Sequence, residues 1–357
     1  MNLTDLQQEL RSIESRIEML HNEIEQMKPK PEDEKRNNFE KITKLAGKAP
    51  IVRTSISEAP ADAKKTIFSS LSYLLLLEET DISYVIASGM ITSELGLMEI
   101  PHLVAPAGLH ELAESIYEAK SGEVLPIACP VYFIRGIRND YGTDVRAEKL
   151  RTVDFMRGEE AQVMGILTET ENREPCTIVA LSSHTKLIYV DENNRIAASN
   201  TTLSGQLYEA ICSATSIGKS LQPCEAESSG GYSWEALVGI AADCVKNAGL
   251  SRTLLMPRFM QVLMRTNSDE RRIFTDAALA ADDMYAFREM RNWGMVGGRY
   301  IFYGHAERCR MYKYMLRQEF GADLRIECIP GAEAQDRLTV NGDIAIALHK
   351  GSSKNFT

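Results

Sequence analysis

The chain has 357 residues and a formal net charge of −10 at pH 7, which is long enough for two domains and too acidic for a surface that tracks nucleic acid. Hydrophobic residues make up 44% and charged residues 25%, the balance of a soluble globular protein. The longest aliphatic run, within Tyr73–Leu77, is far too short to span a bilayer. The seven cysteines are scattered without a C-x-x-C pair, which favours reduced thiols and a cytoplasmic setting.

The first segment carries Leu3, Leu6, Leu10, Ile13, Ile17, Leu20, Ile24 and Met27 at alternating spacings of three and four. That seam predicts a coiled coil that joins copies of the chain or binds a partner through residues 3–27; one amphipathic helix docked on its own domain is the alternative. Pro29 and Pro31 stop it. A short helix over 37–46, a linker over 47–65 and an apolar helix over 66–79 are expected next. The run "DISYVIASG" (Asp81–Gly89) reads as a buried strand that ends in a glycine turn. Further expectations are a helix over Leu109–Lys120, a strand over Val131–Ile137 and a helix over Glu159–Leu167.

The stretch "TIVALSSHTKLIYVDENNRI" reads as strand, polar turn, strand, acidic turn and strand, and "TTLSGQL" then opens a helix. Residues 234–293 are mostly helical. A strand over Arg299–Gly304, a helix over Ala306–Phe320, a strand over Leu324–Ile329 and a last helix over Gly342–His349 complete the chain. Strands alternating with helices define an α/β protein.

Four polar clusters are candidates for chemistry. In "MRGEEAQ", Glu159 and Glu160 sit in the first turn of a helix, where acidic residues complement the helix dipole; equally, Arg157 could bind an anion, and one glutamate could accept a hydroxyl proton or hold Mg²⁺ through water. In "SSHTK", Ser182, Ser183, His184, Thr185 and Lys186 form an unusual hairpin turn, either plainly solvated or able to cradle phosphate with backbone N–H groups and the Lys186 charge. A Ser183–His184 nucleophile is disfavoured by the lack of a G-x-S-x-G elbow. Ser204 is expected to cap the helix that begins with Gly205, whose free N–H groups also suit an anion. Gly304 ends a strand where a flat ligand could approach the backbone. "HELAE" (His110–Glu114) lacks the second histidine of a zinc helix, so no metal site is predicted there.

Together the blocks "ASGMITSELGLMEIPHLVAPAG", "DFMRGEEAQVMGIL", "VALSSHTKLIYVD" and "TTLSGQLYEAI" resemble the 2-dehydro-3-deoxygalactonokinase family, from about Asp81 onward. The resemblance implies an actin-like (ribonuclease H-like) sugar-kinase fold, two α/β domains with ATP between them, and ATP-dependent phosphorylation of a 2-keto-3-deoxy aldonic acid with Mg²⁺. It implies that Gly89, Met90 and Arg157 bind the sugar acid and that Glu159 or Glu160 serves as base. By the same resemblance Ser182, Ser183, His184, Thr185, Lys186, Ser204 and Gly205 hold phosphate, and Gly304 lies near the adenosine. The expected division is 1–48 coiled coil and linker, 49–170 a partial first domain and 171–357 the second. Two departures stand out: Ser182 replaces a glycine usual in the family's turn, and no Asp-x-Gly-Ser/Thr-Thr loop precedes Asp81, so the first domain is expected to lack its leading strands. An inactive relative that binds ligand or assembles through its coiled coil is the second expectation.

Overall fold

A computed structural model describes residues 83–353 except 126, 144, 171–173 and 225–229. The heptad seam over 3–27, the linker and the helices expected before residue 80 lie outside the described residues.

Two small sheets come first. Strand β1 (Val85–Ala87) is followed by β2 (Leu103–Val104), helix α1 (Leu109–Glu114), β3 (Tyr117–Ala119), β4 (Val131–Phe133), β5 (Ile137–Arg138) and β6 (Phe155–Met156). One sheet has the order β1-β4-β3 and the other β2-β5-β6. Two expectations are corrected here. The single strand over Val131–Ile137 is two strands in different sheets, because the chain turns away at Gly136, where a Cβ would lie 2.3 Å from the Met156 carbonyl oxygen. The helix over Leu109–Lys120 stops at Glu114, and Tyr117–Ala119 pair antiparallel with β4 instead. Burial of Ile116 and Ala119 against that sheet outweighs the helical preference of the intervening residues.

Helix α2 (Glu159–Thr170) leads into the central sheet. Its strands are β7 (Cys176–Leu181), β8 (Thr185–Val190) and β9 (Ile196–Thr202), an antiparallel meander, then β10 (Arg299–Gly304) and β11 (Arg325–Pro330), in the order β11-β10-β7-β8-β9. β10 runs parallel to both β7 and β11. Between β9 and β10 lie α3 (Ser204–Ala214), α4 (Ser216–Ser220), α5 (Trp234–Ala248), α6 (Leu250–Thr253), α7 (Met256–Val262) and α8 (Ser268–Asn292); α9 (Ala306–Phe320) joins β10 to β11, and α10 (Ala332–Ser353) follows.

Successive strand residues point to opposite faces, and both faces are apolar. Val179, Leu181, Leu187, Tyr300 and Phe302 pack under α5, α8 and α9 through Val238, Phe274, Phe287, Met311 and Met315. Ile178, Ala180, Ile188, Val190, Ile301 and Tyr303 pack on the other face, with Val163 and Ile166 of α2 and Leu338 and Ile346 of α10. α10 is longer than the expected Gly342–His349. Gly342 and Gly165 let it lie directly on α2: a Cβ on Gly342 would stand 1.8 Å from the Ala161 carbonyl oxygen, and one on Gly165 would stand 2.1 Å from that of Leu338. Among the described residues no helix is long and apolar enough to cross a membrane, and all seven cysteines are free thiols.

Candidate functional site

The turn between β7 and β8 presents its backbone outward. Ser182 and Ser183 are exposed and His184 is half-buried. Both serine carbonyls are held on the protein side: Gln206 N donates to Ser183 O at 2.7 Å, and Arg308 Nη1 donates to Ser182 O at 2.8 Å. In a trans peptide the C=O and the next N–H point opposite ways, so the Ser183 and His184 amides face solvent. Two successive outward amides make a nest for anionic oxygens. Gly205 permits this arrangement, since a Cβ there would lie 2.3 Å from Ser182 O and 2.5 Å from Ser183 O. Gly304 closes the base of the turn. It pairs with Leu181 at φ +131, and a Cβ would meet the Leu181 carbonyl oxygen at 2.2 Å. The Ser183 hydroxyl and His184 Nδ1 lie 3.2 Å apart at the exposed tip.

Three residues expected at phosphate are committed elsewhere. Thr185 is fully buried, and its hydroxyl meets those of Ser204 at 2.7 Å and Tyr312 at 3.0 Å. Ser204 is not a cap: Leu203 precedes α3 without a side-chain cap, while the Ser204 hydroxyl donates to Asp283 Oδ2 at 2.8 Å. Lys186 is buried in β8, and its ammonium donates to the Phe155 carbonyl at 2.6 Å. The sequence reading missed Arg308, Asp283 and Tyr312, which complete this polar cluster. Two signals pointed to them: the acidic pair Asp282–Asp283 inside the apolar run "AALAADDM", and an arginine and a tyrosine four apart just after Gly304.

On the other side, the turn after β1 meets the turn before α2. Gly89 (φ +83) and Gly158 (φ +105) face each other so closely that a Cβ on Gly158 would lie 3.4 Å from the Gly89 Cα. Arg157 spans this seam, donating to Thr92 Oγ1 at 2.8 Å and to the Ile100 carbonyl at 2.7 Å. Burial lowers its pKa from the ordinary arginine value. Both oxygens of Glu160 accept from Gly158 N–H at 2.8 Å. Glu160 is fully buried, and burial pushes its carboxyl up to about 8. Glu159 is only half-buried, and Met90 is exposed.

His102, beside Arg157, is lowered to about 4 by burial first and then by the charges of Arg157, Arg138 and Lys186. Those three cations therefore share one neighbourhood. Ser88 donates to Asp343 Oδ2 at 3.1 Å, and burial raises the Asp343 carboxyl to about 7. Among the described residues no group of three or more His, Cys, Asp or Glu side chains is placed to hold a metal ion.

An α/β protein with outward amides on one turn and clustered cations near another carries two places suited to anionic groups. The chain belongs to the 2-keto-3-deoxy-galactonokinase family, a family of sugar-acid kinases, whose model matches residues 49–337. The match begins well ahead of Asp81, where the resemblance of the four sequence blocks starts, and ends within α10. A comparison with curated proteins finds no match. Among solved structures, a candidate 2-dehydro-3-deoxygalactonokinase from Sinorhizobium meliloti is similar, with a TM-score of 0.63 and 18% identity over 81% of this chain and 88% of that one. That likeness shows a common fold. The activator of 2-hydroxyisocaproyl-CoA dehydratase from Clostridium difficile has a TM-score of 0.33 at 12% identity, over 56% of this chain and 69% of that one. Component A of (R)-2-hydroxyglutaryl-CoA dehydratase from Acidaminococcus fermentans has a TM-score of 0.32 at 14% identity, over 54% and 68%. Neither of these two carries an argument.

Proposed function

We propose that this protein transfers a phosphoryl group from ATP to a terminal hydroxyl of 2-keto-3-deoxygalactonate or a close aldonic-acid relative. The observation that carries the proposal is the link made by Lys186: its strand leaves the amide nest, and its ammonium reaches Phe155, two residues before Arg157. Nest and cationic turn thus lie side by side, as phosphoryl transfer by positioning and charge neutralisation requires.

The Ser183 and His184 amides receive phosphate oxygens. Gly205 and Gly304 provide close backbone approach, and Ser182 stands at the entrance of the turn. Arg157, with Gly89 and Met90 at the seam, receives the acid, and Lys186 ties the phosphate turn's strand to Phe155 from beneath. Glu159 is the glutamate with access to a hydroxyl proton. Glu160 holds Gly158 N–H, and Thr185 and Ser204 support the turn from beneath. Mg²⁺ would neutralise charge between phosphates, but Glu160 does not fit it as a ligand: its carboxyl is fully buried and both oxygens are engaged by Gly158 N–H. No step here runs through the metal.

The strand order β11-β10-β7-β8-β9, with its leading antiparallel meander, supports the actin-like fold. We keep the expected units, 49–170 and 171–357, with α2 at the end of the first lying on the central sheet of the second beside α10. Residues 3–27 are assigned to self-association. A full chain whose mass in solution is that of a monomer, like that of a chain starting near Ala49, would remove that role.

The test is ADP release with a panel of 2-keto-3-deoxy aldonic acids and magnesium. Turnover that depends on one acid supports the proposal. Nucleotide binding without turnover on any acid would leave the inactive-relative reading in its place.

A further inference from the structure

Arg308 occupies an unusual position. It rises from the first turns of α9, its side chain is 13% exposed, and its guanidinium joins two groups of partners. One edge holds the turn, with Nη1 donating to Ser182 O at 2.8 Å. The other is planted in the cluster beneath it: Nη2 donates to Thr185 Oγ1 at 2.8 Å, to Ser204 Oγ at 3.1 Å and to the Tyr312 hydroxyl at 3.1 Å. Asp283 accepts from Ser204 and Tyr312 and balances the buried charge from behind, and Asp276 Oδ1 lies 4.0 Å from Nε.

We propose that Arg308 is the positioning residue of the phosphate turn: it holds the Ser182 carbonyl inward, so the Ser183 amide is turned toward the nucleotide. This deepens the kinase reading and rests on it. The argument is one of peptide geometry. The Ser182–Ser183 peptide lies in an exposed turn without a β-ladder partner of its own, and a peptide plane free to rotate would present its carbonyl oxygen to the phosphates as readily as its N–H. An oxygen there repels an anion. Gln206 N already fixes the next peptide through Ser183 O, so Arg308 completes the pair on which the nest depends. The planar fork of arginine carries donors on separate edges and can hold turn and cluster at once, whereas a lysine ammonium cannot reach both. The same fork ties the turn to α9, the helix that begins two residues after Gly304, so the phosphate and adenosine sides of the site are held as one piece.

The test compares the full chain with Arg308→Lys and Arg308→Met, using ADP and ATP binding by fluorescent-nucleotide displacement, KM for each substrate, and thermal unfolding. Arg308→Lys keeps the buried charge and should fold. It should weaken ADP and ATP binding about ten- to hundredfold while the KM for the sugar acid stays within about twofold. Arg308→Met should weaken nucleotide further, and millimolar methylguanidinium should restore part of the loss. Native nucleotide affinity in Arg308→Lys overturns the inference and leaves the kinase reading intact. A loss shared equally by nucleotide and sugar acid, in step with a lower melting temperature, also overturns it, since that marks a structural role only. A native chain that binds neither ADP nor ATP overturns the kinase reading itself.

Discussion

The turn at Ser182–His184 and the turn at Arg157–Gly158 solve the same problem by different means. On the proposed reading each keeps polar backbone open to a ligand while staying rigid. The Arg157–Gly158 turn is braced from its own segment and from the turn after β1: the Glu160 carboxyl reaches back two residues to Gly158 N–H, and Arg157 donates to Thr92 and Ile100, 65 and 57 residues away. The Ser182–His184 turn is braced from far along the chain, by Arg308 at a separation of 126 residues and by the start of α3. The first set of contacts stays ahead of the central sheet, while the second makes the Ser182–His184 turn depend on how helices α3 and α9 are seated. The Arg157–Gly158 turn also lies at a glycine seam, and the Ser182–His184 turn on the end of a five-stranded sheet.

The largest effect should come from closing the space the remote brace needs. Gly205→Ala places a methyl 2.3 Å from Ser182 O, which the turn can relieve only by moving its backbone. Overpacking of this kind costs about 1–3 kcal/mol, so kcat/KM for ATP should fall by about ten- to hundredfold with little change in the KM for the sugar acid. Unchanged nucleotide kinetics would mean that the turn is not the phosphate site. Arg157→Lys should act on the other turn alone. It loses the two-pronged grip on Thr92 and Ile100, and the KM for the acid should rise about tenfold while nucleotide binding holds. Equal damage to both substrates would erase the distinction between the turns.

Glu160 offers a pH test of local bracing. Its carboxyl is pushed up to about 8 from an ordinary 4.5, and that of Asp343 to about 7 from 3.8. Between the ordinary and the folded values the native state holds protons that the unfolded chain has released, so stability falls as pH rises. Each group contributes at most about 1.4 kcal/mol per pH unit. Both act below pH 7, and Glu160 alone between about 7 and 8. Glu160→Gln should therefore flatten the melting-temperature profile in that upper window, as read by calorimetry; a slope equal to the native one would place the titrating group elsewhere. Ser182→Gly should have the smallest effect. Its exposed side chain makes no contact that the nest requires, and all kinetic constants should stay within about twofold.

Legibility in the sequence followed the range of the forces involved. β10 over Arg299–Gly304 and α9 over Ala306–Phe320 were readable to the residue, since apolar alternation and a glycine boundary are local signals. Tyr117–Ala119 was misread because a strand partner fourteen residues on decides it. The meander around "SSHTK" was plain, yet the same alternation buries Thr185 and Lys186, and a motif read as a single ligand-binding unit conceals that. Arg308 escaped for the same reason: its partners Ser182, Thr185 and Ser204 lie 126, 123 and 104 residues away, and the local signals at Asp282–Asp283 and after Gly304 do not say which residues they meet.

The most direct measurement is a crystal structure of the full chain with ADP. The account predicts β-phosphate oxygens within hydrogen-bond distance of the Ser183 and His184 amides, with the Ser182 carbonyl still on Arg308 and the adenosine beside Gly304. Phosphates bound away from this turn, or a turn whose carbonyls face the nucleotide, would contradict it.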